Sequence, residues 1–137
     1  MNRLQFQKLA RIRLREAEAL LKVKMFDGAY YLAAYAVECG LKACVARLTR
    51  RHDFPSRDFV RNSYTHDFTQ LIKTAELDDR YRLELDQDSQ LAANWRIVKD
   101  WREDSRYAVW SRAQANALVE AITEVPHGVF PWIERQW

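Results

Sequence analysis

From about Asn2 to Lys24, Phe6, Ala10, Leu14, Ala17 and Leu21 recur at intervals of three and four residues. That spacing returns to one face of a helix with 3.6 residues per turn, and Leu20 widens the face. Lys8, Arg11, Arg15 and Lys22 fall together elsewhere on the same helix as a basic stripe. Phe26-Asp27-Gly28 breaks the pattern, and Asp27 or Gly28 is a candidate cap for the next element. From about Gly28 to Arg50 the chain is apolar almost all round as far as Val45, the pattern of a helix at the centre of a bundle. Ala29, Ala33, Ala36, Gly40 and Ala43 give it an edge of small residues that a neighbour can approach closely. Glu38 and Lys42 are the only charges inside it before Arg47, in the favourable order at i,i+4. The short connection makes the first two helices a hairpin.

Beyond this hairpin the pattern loosens. His52 to Thr65, with Pro55, Ser56, Asn62 and Ser63, reads as an irregular loop. A short helix over His66 to Ala75 turns Phe68, Leu71 and Ile72 inward. Glu76 to Asp88 is acidic and ambiguous, with room for a helical turn. Leu91, Trp95, Val98 and Trp101 mark a fourth amphipathic helix. Ser111 and Gln114 form a capping box opening a fifth, with Ala117, Leu118, Ala121, Ile122 and Val125 inward, until Pro126 ends it. A last turn carries Phe130, Trp132, Ile133 and Trp137. The expected fold is all-α, an up-and-down bundle of four to five helices in one domain spanning residues 1–137. Three Gly and three Pro leave little material for a turn-rich β architecture. Five Trp and the apolar tail exceed the need of one small core, and predict a symmetric homodimer.

Charge adds zones to this picture. Residues 1–25 carry seven Lys/Arg against two Glu, residues 47–66 five Arg against two Asp, and residues 67–88 seven acids against three bases. The basic zones are suited to nucleic acid, to the acidic zone, or to water alone. Cys39 and Cys44 lie five apart on one helix, pointing about 140° from each other, so they cannot bridge. No secretory signal is evident, which points to a reducing cytoplasm. No apolar run reaches membrane-spanning length. No His/Cys/Asp/Glu cluster has the spacing of a metal site, and no cofactor is expected.

Several blocks in order resemble the HEPN family (higher eukaryotes and prokaryotes nucleotide-binding domain). They are REAEALL (Arg15 to Leu21), DGAYYLAAYAVECGLKA (Asp27 to Ala43), YTHDFTQL (Tyr64 to Leu71), NWRIVKDWREDSRY (Asn94 to Tyr107) and GVFPWIERQW (Gly128 to Trp137). The resemblance implies a helical bundle that pairs as a homodimer. Many such proteins are metal-independent ribonucleases with an Arg-x4–6-His motif and a polar residue after the Arg. RNSYTH, from Arg61 to His66 with Asn62 in the polar slot, fits that pattern, and Arg47 with His52 fits the bare spacing. The residue types suit the chemistry: a His exchanges protons with the reacting hydroxyls, and an Arg fork holds phosphate and developing charge.

The resemblance therefore implies an RNA-acting protein, either a metal-independent endoribonuclease of toxin–antitoxin type or a non-catalytic module binding nucleotide, RNA or a partner protein. An antitoxin or nucleotidyltransferase would be the partner in the first case. Arg61, Asn62 and His66 are the candidate catalytic residues, with packing and capping at a helix start as the alternative for His66. Arg47, Arg50, Arg51 and Arg57 are candidate nucleic-acid contacts, or else a solvated loop or ion-pair partners of the acidic segment. Arg106 is open between a phosphate contact and a structural ion pair. Trp95 and Trp101, at core spacing, read as core or interface rather than as base-stacking platforms. Glu38 reads as a structural carboxylate paired with Lys42 or an Arg of the first helix, with a general base as the alternative.

Overall fold

The computed structural model describes residues 1–137 as eight α-helices and one 3-10 turn, with no strand. The helices are α1 (Arg3–Lys22), α2 (Phe26–Arg47), α3 (Arg57–Ser63), α4 (Phe68–Thr74), α5 (Asp78–Gln87), α6 (Ser89–Lys99), α7 (Arg112–Thr123) and α8 (Val129–Glu134). The 3-10 turn, Glu103–Tyr107, lies between α6 and α7.

α2 is the axis of the molecule. Thirteen of its residues are buried, and α1, α4, α7, α8 and the 3-10 turn all pack on it. The small-residue edge works as its composition suggests. Ala29, Ala33, Ala36 and Ala43 have no exposed surface, and a Cβ added at Gly40 would lie 2.9 Å from the Ile133 side chain on α8. A single core of 29 buried residues runs from Ala10 on α1 to Ile133 on α8. No helix is long and apolar enough to cross a membrane.

The five tryptophans are all taken up by the chain's own packing. Trp95 and Trp132 meet edge-on at 5.7 Å, and Tyr81 meets both. Trp101 stacks on Phe68 at 5.3 Å, Trp110 on Tyr30 at 3.7 Å, and Trp137 sits edge-on to Phe130 beneath the guanidinium of Arg11.

The structure has more helices than the hydrophobic pattern predicts. The stretch expected as a loop contains α3, because the Ser56 hydroxyl accepts the Phe59 N–H at 3.1 Å and Asp58 stands in the first turn, where the helix dipole favours an acid. The ambiguous acidic segment is a ten-residue helix, α5. Its Tyr81 and Leu85 pack on the core, Glu84 accepts the Trp132 indole N–H, and Arg80 donates to the buried Gln136 at 2.8 Å. α2 begins at Phe26, ahead of the expected cap, since the Asp27 carboxylate is taken by the backbone N–H of Trp110. The Ser111–Gln114 capping box is present at α7. Ala117 and Val125, expected inward, are exposed; Ala115 and Val119 take the inward positions.

Two outcomes follow from this packing. Gly40→Leu drives a side chain into Ile133 and should cost about 1–3 kcal/mol or more, read as a lowered urea midpoint with an unchanged m-value. Burial pushes the Cys39 thiol up to about 11 and Cys44 to about 12. Both should therefore stay unreactive towards a disulfide dye at mildly alkaline pH in the folded protein and react together in denaturant. Rapid labelling of either thiol in the native state would contradict the all-round burial of α2.

Candidate functional site

The site begins with Glu38, an acid in the middle of the most buried helix. Its side chain is 2% exposed. A carboxylate in such surroundings must be paired and hydrogen-bonded to persist in charged form. Lys42, one turn along α2, donates to Oε1 at 2.8 Å. The second partner comes from outside the helix. His66, in the connection between α3 and α4, places Nδ1 3.0 Å from both Glu38 oxygens. A carboxylate only accepts, so Nδ1 carries the hydrogen in this bond.

His66 is held on both sides of that contact. The Thr65 hydroxyl accepts the Asp67 N–H at 3.1 Å, and the Asp67 carboxylate caps α4 by accepting the Gln70 N–H at 2.9 Å. His66 therefore stands one residue before the cap, and Asp67 does the capping that the sequence leaves open for His66. Phe68, the first residue of α4, is buried against Trp101. That stack brings the 3-10 turn alongside, with Glu103 Oε2 3.5 Å from His66 Nε2 and Arg106 3.5 Å from the other Glu103 oxygen. The result is a chain of alternating charge-bearing groups, Lys42, Glu38, His66, Glu103 and Arg106, running from the core to the surface.

The imidazole, 44% exposed, opens onto a cleft of about 380 Å³. His66, Asp67, Thr69, Lys99, Trp101 and Arg102 are among its walls. Lys99 and Arg102 are exposed cations with no carboxylate partner. The cleft thus gathers a titratable ring, oriented from behind, two cations, Arg102 and Lys99, whose ammonium lies 5.7 Å from the Tyr81 ring, and two carboxylates, Asp67 and Glu103. No group of three or more His, Cys, Asp or Glu side chains is gathered as a metal site requires.

The other residues singled out by the sequence lie elsewhere. Arg61 is exposed on α3 and bonds Asp58 at 3.0 Å, one turn back. No hydrogen bond joins it to His66, and Asn62 between them is half-buried with no side-chain bond. Arg47, Arg50, Arg51 and Arg57 are all exposed and form no ion pair, so the acidic segment does not neutralise them. Arg106 pairs with Glu103 and stacks on Tyr107 at 4.9 Å, which makes its structural role real. Trp95 and Trp101 are core residues, though Trp101 also forms a wall of the cleft. Glu38 pairs with Lys42 as expected, but with no Arg of α1. The residues that sequence reasoning passed over are Lys99, Arg102 and Glu103. They lie in the NWRIVKDWREDSRY block without a chemically telling spacing, and Trp101, packed on Phe68 and Tyr31, brings them to His66.

No protein-family model matches the chain, and neither the curated proteins nor the solved structures contain a significant match to it.

Removing the buried partner of two groups should be costly. Glu38→Ala leaves the Lys42 ammonium and the imidazole without their acceptor, and should destabilise by about 3 kcal/mol. Glu38→Gln, whose amide oxygen still accepts, should lose less. Equal urea midpoints for parent and Glu38→Ala would mean that the pair contributes nothing.

Proposed function

We propose that the chain is a HEPN-type module that acts on single-stranded RNA and cuts it without a divalent metal, through the imidazole of His66. One observation carries the reading: His66 stands half-exposed at a cleft whose walls hold the cations Lys99 and Arg102 and the carboxylates Asp67 and Glu103, while its Nδ1 is committed to a buried carboxylate. An acid bound at one ring nitrogen fixes orientation and tautomer and leaves the other nitrogen for proton transfer. In this reaction the 2′-oxygen of a ribose bonds to the adjacent phosphorus as its proton passes to Nε2. The bond from phosphorus to the 5′-oxygen then breaks, and the leaving oxygen takes the proton back. The products are a cyclic phosphate and a free 5′-hydroxyl. Lys99 and Arg102 would hold the phosphate oxygens.

The remaining residues singled out by the sequence lie away from this centre. Arg47, Arg50, Arg51 and Arg57, which no acid neutralises, would track the RNA backbone, and Arg106 would meet the strand beyond the cleft. Arg61 and Asn62 would act at the scissile phosphate only if a homodimer brought the partner subunit's Arg61 to this His66. In this reading the protein is the toxin of a pair, with an antitoxin such as a nucleotidyltransferase as its partner.

A second reading is favoured by Glu103, whose carboxylate lies 3.5 Å from Nε2, where the substrate's proton would arrive. If that carboxylate stays, the cleft binds nucleotide or RNA without cutting it.

The purified protein should cleave single-stranded RNA in excess EDTA, leaving cyclic-phosphate ends. His66→Ala should abolish cleavage, and Glu38→Gln should lower it by about 10²-fold or more while the fold is retained. Arg61→Lys separates the two placements of Arg61, since an ammonium cannot replace a planar fork at a phosphate. Activity unchanged in His66→Ala would end the nuclease reading. Salt-sensitive RNA binding without cleavage would establish the binding module.

A further inference from the structure

A groove of about 420 Å³ lies on the far side of Lys42 from the His66 cleft, between the start of α1, the last turns of α2, and α3. Phe6, Val45, Phe59, Val60 and Tyr64 line it. Val60 is 41% and Tyr64 79% exposed, so the apolar surface continues from the groove onto its rim.

The surrounding charge narrows the choice of occupant. Arg57 and Arg61 stand on α3 beside Val60, and Arg50 follows Thr49, another lining residue. Arg50 and Arg57 are unpaired, and the one acid of α3, Asp58, is already held by Arg61 at 3.0 Å. No arginine lines the groove itself, but Arg50 and Arg57, exposed and unpaired, lie close in the chain to its lining residues, and a basic rim about an apolar trough complements a helix with an apolar stripe flanked by acids.

One lining residue connects the groove to the cleft. Lys42 reaches the groove wall with a side chain 16% exposed, and its ammonium is the same one that donates to Glu38 at 2.8 Å. Glu38 in turn holds His66 at 3.0 Å. A carboxylate docked in the groove would compete with Glu38 for the three N–H donors of Lys42. Any displacement of that ammonium alters the charge facing Glu38, and through it the seat of the imidazole.

We propose that this groove is the docking site for an acidic amphipathic helix of a partner protein, and that docking is sensed at His66 through Lys42 and Glu38. The docking does not depend on the chemistry at His66, although it shares Arg50 and Arg57 with the RNA path proposed above; only the consequence of the sensing rests on His66 as the working group.

The test uses the whole protein and a fluorescein-labelled peptide of about four helical turns, with Leu at i, i+3, i+4 and i+7 and Glu at most other positions. A second peptide carries Lys in place of every Glu. The Glu peptide should bind saturably, more weakly as salt rises, and the Lys peptide at least about tenfold less tightly. Val60→Asp and Tyr64→Ser, both at exposed positions, should each weaken binding by about tenfold or more with unchanged melting curves. At saturation the ring resonances of His66 should shift. No saturable binding, equal binding of the two peptides, or binding indifferent to both variants would overturn the docking site. Binding with unmoved His66 resonances would overturn the sensing. Displacement of the peptide by oligouridine would give the groove to nucleic acid. Self-association abolished by Val60→Asp would give it to a second copy of the chain.

Discussion

Glu38 sits in the helix on which every other layer is built, and the carboxylate has to be satisfied where it stands. α2 is buried because a sequence apolar on all sides has no face to offer water, and its alanines and Gly40 let α1, α7 and α8 close around it. Within that packing an unpaired carboxylate costs several kcal/mol. Lys42 supplies one partner from the same helix, and the second must come from a distant part of the chain. That requirement brings His66 to α2, fixes the connection between α3 and α4, and sets the entry of Phe68 into the core.

A second consequence runs through Phe68. Its ring stacks on Trp101, which lies in the short connection between α6 and the 3-10 turn. The core contact therefore determines which polar residues meet His66: Glu103 beside Nε2, Lys99 and Arg102 on the cleft walls. The Trp95–Trp132–Tyr81 cluster binds α5, α6 and α8 together, with the Lys99 ammonium of the cleft wall 5.7 Å from the Tyr81 ring. Asp88 secures α6 as well. It caps α6 and accepts from His127, which holds its carboxyl below the usual range.

Much of the fold can be read in the sequence where periodicity is long and unbroken. The apolar stripe of α1, the all-round burial of α2 and the capping box of α7 each state their own structure. α3 and α5 are harder for physical reasons. Pro55-Ser56 reads equally well as loop or as the cap of a helix, and seven residues hold too few turns for a period to emerge. α5 is acidic enough to pass for solvated chain, and its partners, Trp95 and Trp132 for Tyr81, Trp132 for Glu84 and Gln136 for Arg80, all come from later in the chain. In the site, Glu38 and His66 are each conspicuous alone, but their 28-residue separation leaves no local trace of the pair. The Arg-x4-His spacing is a weak guide for the opposite reason. With sixteen Arg and three His in the chain such spacings arise by chance, and here Arg61 turns to Asp58 instead.

The account rests on one claim, that an imidazole oriented by Glu38 is the group that meets RNA. The most direct measurement is a nitrogen-15 NMR titration of the His66 ring with a 2′-O-methyl oligoribonucleotide, which binds but offers no nucleophile. The account predicts that the free protein shows the tautomer with hydrogen on Nδ1, and that Nε2 shifts saturably with the oligonucleotide. In Glu38→Gln the tautomer preference should weaken and the shift shrink. Hydrogen on Nε2 in the free protein, or RNA binding that leaves the His66 ring unperturbed, would contradict it.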